Sequence, residues 1–136
     1  MSGSWAESPA LEVTEDLIAT LVDRAGYTHP LFHPPPGAGG PPLPGQGVLL
    51  LMGGLVEQSG ALDDAVALLE LRRARFVAPL RAGATLRVRI EPTAARTTSG
   101  GKVVRDYRWT AVDADGRTVA EVEAVMLMNP GEAGVA

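Results

Sequence analysis

Residues 46–59 read QGVLLLMGGLVEQS and contain the longest apolar stretch of the 136-residue chain. Hydrophobic side chains occur on every side of a helix drawn through them, so the sequence predicts a helix, Gln46–Ser59, that is buried on all faces. The stretch is far shorter than the ~20 residues that span a bilayer. Gly53 and Gly54 each lower the stability of a helix by about 1 kcal/mol relative to alanine. We expect close packing against a sheet, or against the same helix of a second subunit, to compensate.

The segments after this helix have the patterns of strands. Alternation of apolar and polar residues occurs in Thr85–Glu91, Val103–Val112 and Thr118–Met128, and the arginine-rich Leu68–Val77 precedes them. Asp113–Gly116 has the composition of a hairpin turn. The order predicts an α+β domain in which an antiparallel sheet of at least four strands curves around the central helix. An exposed sheet edge must be covered or paired, so we expect a homodimer with one continuous sheet.

Two further elements precede the central helix. Thr14 is an N-cap residue followed by two acids, and apolar residues at helical spacing lead from it to Gly26, which is placed to end the helix. Residues 34–44 contain six prolines and three glycines and predict a rigid surface loop, either a plain connection or a lid over a pocket. The whole chain, residues 1–136, is expected to form one domain with loosely ordered ends at residues 1–9 and 130–136.

Composition narrows the classes of function. The chain has no cysteine, which excludes disulfides, thiolate metal sites and cysteine nucleophiles. Its net charge of −4 gives no electrostatic footprint for nucleic acid. The first residues lack the charged start and apolar centre of a signal peptide. A cytoplasmic protein without nucleic-acid or membrane partners is therefore the expectation.

Both histidines of the chain, His29 and His33, lie just before the proline-rich loop. Histidine titrates near neutral pH, so either could be a lone general base, and either could instead be satisfied by backbone or water. Nothing nearby offers a clear third ligand, so neither a metal nor another cofactor is predicted. Gly47, in the first turn of the central helix, could offer its N–H to a developing oxyanion or could permit close packing.

Four segments, in order, resemble motifs of the MaoC-like dehydratases, the group of (R)-specific enoyl-CoA hydratases in the hot-dog superfamily. The segments are VTEDLI at 13–18, YTHPLF at 27–32, PLPGQGVLL at 42–50 and RFVAPLRAGATL at 75–86. The resemblance covers residues 12–128. It implies a single hot-dog domain, a homodimer with its site at the subunit junction, and chemistry on an acyl thioester carried by CoA or by an acyl carrier protein.

The chain departs from this family at the residues that carry the chemistry. Aligned on Pro30, the resemblance places Tyr27 and Phe32 where the family has its catalytic aspartate and histidine, and His29 where it has asparagine. His33 lies one residue beyond the histidine position, so a one-residue bulge could restore the placement of an imidazole. Tyr27 could donate a hydrogen bond, act as an acid or form an aromatic wall.

The other candidate residues belong to the central helix and its surroundings. The resemblance implies that the N–H of Gly47 binds the thioester oxygen, and Gln46, Phe32 and Val48 are predicted to contact the substrate. Glu57 lies on the helix from which some hot-dog thioesterases present a carboxylate, about one turn beyond the expected position. It could equally be a solvated carboxylate at the helix end.

Three functions stay open on these residues. The first is a lyase of the hydratase or dehydratase type with an atypical acid/base set, in polyketide or other secondary metabolism. The second is a thioesterase or another tailoring enzyme on the same scaffold. The third is a non-catalytic acyl-binding or partner subunit. The sequence decides neither the acyl chain nor its carrier.

Overall fold

The computed structural model describes residues 5–131, which form two α-helices, a short 3-10 helix and one antiparallel sheet. The helices are α1 (Glu15–Ala25), the 3-10 helix (Pro30–Phe32) and α2 (Gly45–Gln58). The strands are β1 (Ala6–Glu7), β2 (Leu11–Glu12), β3 (Ala65–Phe76), β4 (Thr85–Thr97), β5 (Val103–Val112) and β6 (Thr118–Met128). None of the helices in this part of the chain has the length and apolar character needed to cross a membrane.

The sheet has the strand order β1-β4-β5-β6-β3, and β2 also pairs with β4. All pairs are antiparallel, which confirms the predicted kind of sheet. Strands β5 and β6 have the predicted bounds. In the turn between them, Asp113 accepts hydrogen bonds from the N–H groups of Asp115 and Arg117, and Gly116 has a φ of +82°. The hairpin predicted from its turn residues is therefore present.

Helix α2 begins and ends one residue before the predicted Gln46–Ser59. Its buried residues recur at helical spacing, as expected of a helix with one face on a core: Val48, Met52, Leu55 and Val56. They join the inward side chains of the sheet in one hydrophobic cluster, which includes Leu86, Val88, Ile90, Tyr107, Trp109 and Val122. The central helix is thus held against the sheet.

The prediction that the central helix is buried on all faces is wrong for the single chain. The side chain of Leu50 is 63% exposed, because the sheet covers only the opposite face of α2. A Cβ added to Gly53 or Gly54 would meet nothing within 4 Å. Close packing against the chain's own sheet therefore does not explain these glycines, and packing against a second subunit stays a prediction.

Helix α1 has the predicted ends. The Thr14 hydroxyl accepts a hydrogen bond of 3.0 Å from the N–H of Leu17, and Gly26 ends the helix at a φ of +83°. Within residues 1–9, which were expected to be loosely ordered, residues 1–4 lie outside the described part and β1 pairs with β4. Residues 132–136 of the other predicted loose end also lie outside it.

Strand β3 forms one edge of the sheet and pairs with β6 among the described strands. Bulges interrupt its register at three places, and several of its apolar side chains are 40–52% exposed. They are Val66, Leu68, Leu69, Leu71 and Phe76. An edge with this much exposed apolar surface is one that proteins normally cover.

Candidate active site

The N-terminus of α2 presents unpaired backbone donors. Pro44 is the N-cap residue, and its carbonyl accepts a 3.1 Å hydrogen bond from the N–H of Val48. No side chain caps the helix, and the N–H groups of Gly45, Gln46 and Gly47 have no hydrogen-bond partner within residues 5–131. The helix dipole adds a partial positive charge here. Such a terminus suits an oxygen that carries or develops negative charge.

Tyr27 connects this helix end to the histidine segment. Its hydroxyl donates a hydrogen bond of 2.6 Å to Oε1 of Gln46. Its backbone carbonyl lies 2.6 Å from Nε2 of His33. Its ring meets that of Phe32 edge to face, with the centroids 5.1 Å apart. One residue thus brings together four of the predicted site residues: Tyr27, Phe32, His33 and Gln46.

Local structure explains why Tyr27 lies there. The left-handed conformation of Gly26 ends α1 and turns the chain, and the N–H of Tyr27 donates to the carbonyl of Val22 at 3.0 Å. The 3-10 helix that follows has Pro30 in its first turn, where the fixed φ of proline is favourable. These two short-range features fold the segment back toward α2.

The hydrogen bond of His33 assigns its neutral tautomer. A carbonyl oxygen can only accept, so Nε2 of His33 carries the proton that it donates to Tyr27. Nδ1 of the neutral ring is then free to accept a proton. The hydrogen bond thus leaves Nδ1 of His33 as the nitrogen with a free lone pair.

His29 has a different environment. Its Nδ1 accepts a hydrogen bond of 3.0 Å from the N–H of Leu31 and caps the 3-10 helix. This hydrogen bond requires the lone pair of Nδ1. Nδ1 of His29 therefore has a structural partner, whereas Nδ1 of His33 has a free lone pair. The sequence offered both histidines as possible general bases, and their hydrogen bonds distinguish them.

Gly47 has both of the properties that the sequence allowed, a backbone donor for an oxyanion and the small size that close packing needs. Its N–H is unpaired at the helix start, as an oxyanion donor requires. A Cβ in its place would also lie 3.1 Å from Cδ1 of Leu43, so glycine permits a close approach as well. Gly45 resembles it in this respect, because its Cβ would lie 3.1 Å from two ring carbons of Phe76.

An apolar cleft of about 280 Å³ adjoins the start of α2, and we call it the α2 cleft. The predicted residues Phe32 and Val48 line it, and the other lining residues include Leu43, Gly45, Phe76 and Leu80. A second cleft of about 320 Å³, the α1 cleft, lies between α1 and the proline-rich loop. Phe32 lines both clefts.

The α1 cleft contains acidic residues that were not predicted. Glu15 and Asp23 of α1 line it together with His33, over the apolar side chains of Ile18 and Val22. Glu15 was noted only for its place in the first helical turn. The signal that could have identified the pair is their spacing of eight residues, which places both on one side of α1.

The proline-rich loop follows the rim of this cleft. The guanidinium of Arg81 donates a 2.7 Å hydrogen bond to the carbonyl of Gly40, and the N–H of Leu43 donates to the carbonyl of Leu80 at 2.8 Å. Gly40 and Pro41 line the α1 cleft. Residues 34–44 therefore form the predicted loop, and part of that loop lies beside His33.

Glu57 lies apart from these residues. It is exposed near the C-terminal end of α2, and the rise per residue places it about 16 Å along the helix from Gln46. The structure does not bring Glu57 to the Tyr27 cluster within one chain. Across residues 5–131, no three ligating side chains are grouped as a metal site would require.

Solved structures of other proteins share this architecture. A MaoC-like dehydratase from Rhodospirillum rubrum superposes with a TM-score of 0.81 at 15% identity, over 95% of this chain and 92% of the other. The (R)-hydratase from A. caviae gives 0.76 at 20% identity, over 94% and 96%. A Mycobacterium tuberculosis protein described as a double hotdog fold gives 0.72 at 20% identity, over 97% and 43%. The fold is the hot-dog fold.

The hot-dog assignment comes from structure, since no family model and no curated protein sequence matches the chain. It confirms the predicted single-helix-and-sheet architecture and the similarity to MaoC-like dehydratases and (R)-hydratases. At these low identities the shared property is the fold. The activity of this hot-dog protein has to be inferred from its own residues.

Proposed function

We propose that this protein binds an acyl thioester at the start of α2 and carries out hydratase- or dehydratase-type chemistry there. The observation that carries the proposal is the Tyr27 connection, since one residue hydrogen-bonds both His33 and Gln46. In this proposal the free imidazole nitrogen of His33 and the unpaired N–H groups of the helix terminus act on the same substrate. We also propose that the protein is a member of the MaoC-like family and that it acts in secondary metabolism.

The proposed reaction uses both parts of the site. Nδ1 of His33 takes a proton from water as the water oxygen bonds to C3 of an enoyl thioester. The electrons of the double bond move onto the thioester oxygen, which the N–H of Gly47 and its neighbours stabilise. The enolate then collapses as C2 takes the proton back from Nδ1 of His33, which gives the 3-hydroxyacyl thioester and restores the neutral imidazole. Dehydration is the reverse, and no cofactor is required.

A non-catalytic acyl-binding subunit is the second candidate. Phe32, at the position where the resemblance expects histidine, packs its ring against Tyr27 and has no group that moves a proton. The Tyr27 hydroxyl, at the aspartate position, is already bonded to Gln46. These two observations would leave binding without turnover. Thioester hydrolysis through Glu57 lacks comparable support, because Glu57 is remote from the cluster.

We also propose that two copies associate through the β3 edge and the open face of α2. The support is the exposed apolar surface of β3, the exposure of Leu50, and the empty space over Gly53 and Gly54. A hot-dog sheet extended across two β3 strands would cover all three features. The start of α2 would then lie near the subunit junction.

The test of the proposed function is incubation of the protein with enoyl- and 3-hydroxyacyl-thioesters of CoA and of pantetheine. Mass spectrometry follows gain or loss of water, and a thiol reagent follows hydrolysis. A water shift that disappears in His33→Ala is the expected result. Ligand-induced thermal stabilisation without turnover supports the binding subunit instead. Thiol release without a water shift, or no interaction with any thioester, overturns the proposal.

A further inference from the structure

The side-chain amide of Gln46 has one end engaged and one end free. Its Oε1 accepts the 2.6 Å hydrogen bond from the Tyr27 hydroxyl. Both hydrogens of a primary amide are on the nitrogen, so Nε2 of Gln46 carries two N–H donors. The side-chain hydrogen bonds of residues 5–131 include none donated by this Nε2. Gln46 therefore presents two unused donors.

These donors belong to the same end of α2 as its unpaired backbone N–H groups. Gln46 is the second residue of the helix, and the N–H groups of Gly45, Gln46 and Gly47 are unpaired. The Cα–Cβ bonds of a helix tilt toward its N-terminus, which is also the end where the first N–H groups lack an intrahelical partner. Side-chain and backbone donors are thus arranged at one helix end.

The amide oxygen of Gln46 could instead cap these N–H groups itself. Unpaired N–H groups in the first turn of a helix are commonly satisfied by side-chain acceptors. In this chain the Tyr27 hydroxyl engages Oε1, and no side chain caps α2. The hydrogen bond from Tyr27 therefore holds Oε1 away from the backbone donors and leaves Nε2 as the free end of the amide.

We propose that Nε2 of Gln46 donates a hydrogen bond to the thioester oxygen, beside the backbone N–H groups, and that Tyr27 is the positioning residue that orients this amide. The inference rests on the proposed function and assigns a side-chain donor to its site. A carbonyl oxygen has two lone pairs, so it can accept from a backbone N–H and from Nε2 together. Both hydrogen bonds strengthen as negative charge develops on the oxygen.

The test compares two ligands that differ only at this carbonyl. S-Butyrylpantetheine is the thioester, S-butylpantetheine is the corresponding thioether, and neither can be hydrated. Isothermal titration gives the dissociation constant of the thioether divided by that of the thioester, which we call the oxygen ratio. The oxygen ratio of wild type is expected to be about 10, and Gln46→Leu is expected to lower it about 5-fold, the usual effect of one hydrogen bond.

A double-mutant cycle separates positioning by Tyr27 from a general structural effect. Tyr27→Phe removes the hydroxyl and keeps the ring that contacts Phe32. Alone, it is expected to lower the oxygen ratio at least about 5-fold, because Oε1 of Gln46 can then accept from the helix N–H groups. Added to Gln46→Leu, the same substitution is expected to change the ratio less than about 2-fold, because no amide is left to orient.

The matched control is Gln58→Leu, since Gln58 is an exposed glutamine at the other end of α2, and it should keep the wild-type oxygen ratio. Circular dichroism and thermal melting establish that each variant keeps its fold. Gln46→Glu, which retains an acceptor for Tyr27 but has no amide donor, replaces Gln46→Leu if the latter does not fold.

Three results overturn this inference alone: a wild type that binds both compounds equally, an oxygen ratio that the Gln46 substitution leaves unchanged, or an equal effect of Tyr27→Phe with and without Gln46. A wild type that binds neither compound overturns the proposed function together with it.

Discussion

His33 and His29 are four residues apart but make opposite uses of their ring nitrogens. His33 donates through Nε2 and keeps Nδ1 free, whereas His29 uses Nδ1 to accept the N–H of Leu31. The first arrangement depends on Tyr27, whose carbonyl accepts the hydrogen bond from Nε2 of His33 while its hydroxyl donates to Gln46. The chemistry available at this site thus depends on single hydrogen bonds rather than on residue type.

Substitution of His33 by alanine is expected to lower kcat at least about 100-fold, the usual range for loss of a general base. Circular dichroism should show an unchanged fold, because the side chain is exposed. His29→Asn, which keeps a capping acceptor, is expected to retain activity. The reverse outcome, with activity dependent on His29 and independent of His33, would contradict the assignment of the base.

A pH effect on stability is expected from Tyr107. Burial raises the pKa of its hydroxyl above the ordinary value, with Arg105 acting to lower it and Asp64 to raise it. In the unfolded chain the group ionises near pH ~10, so above that pH the folded state retains the proton that the unfolded state has lost. The free energy of unfolding should therefore be maintained below about pH 10 and fall as the pH rises through the folded-state pKa.

Urea unfolding at about pH 8 and about pH 11 measures this effect. Tyr107→Phe cannot ionise at this position, so it should lose less stability between the two pH values than wild type does. Tyr27→Phe removes the hydroxyl of the other tyrosine and is the comparison variant. Tyr27 is partly exposed, and its hydroxyl hydrogen-bonds Gln46. If wild type and Tyr107→Phe lost the same free energy of unfolding between the two pH values, burial of the Tyr107 hydroxyl would not be the cause of the loss at alkaline pH.

At the scale of elements, α2 combines a buried face with an open one. Gly53 and Gly54 lie in open space in the single chain, so alanine should fit there and favour the helix by about 1 kcal/mol. A second copy of α2 packed on these glycines would reverse the result, because added methyl groups in a packed interface typically cost about 1–3 kcal/mol.

Because we propose the dimer, Gly53→Ala is expected to raise its dissociation constant about 10-fold while the monomer keeps its helical circular dichroism. Sedimentation over a concentration series gives the constant. Thr20→Ala, on the exposed side of α1, changes helix propensity without changing α2 and serves as control. Tighter association of Gly53→Ala would exclude close helix contact at this glycine.

For the whole molecule, the decisive property is what covers the β3 edge. We expect a dimer in light scattering, and Leu71→Lys, on the core-facing side of β3 opposite Ala124, should convert it to a folded monomer. Trp5→Ser removes an exposed large apolar residue near the other edge of the sheet, next to β1, and should leave the dimer intact. A wild-type monomer at high concentration would contradict the proposed assembly.

The sequence by itself determined the elements of this hot-dog domain. The N-cap at Thr14, the stop at Gly26, the apolar central helix and the alternation of β5 and β6 all follow from local patterns, and their bounds agree with the structure within a residue. These features depend on residues close in sequence, for which helix and strand periodicity is a direct physical constraint. The proposed position of the site, just before α2, follows from the same local reasoning.

Only the tertiary structure decided how the site is connected. The bond from Tyr27 to Gln46 spans nineteen residues, and the two clefts that Phe32 lines involve α1, the loop, α2 and the end of β3. The exposure of Leu50 and the space over Gly53 likewise follow from which face of α2 the sheet covers. Periodicity indicates that a helix has an apolar surface, but the placement of elements in three dimensions determines what each side chain meets.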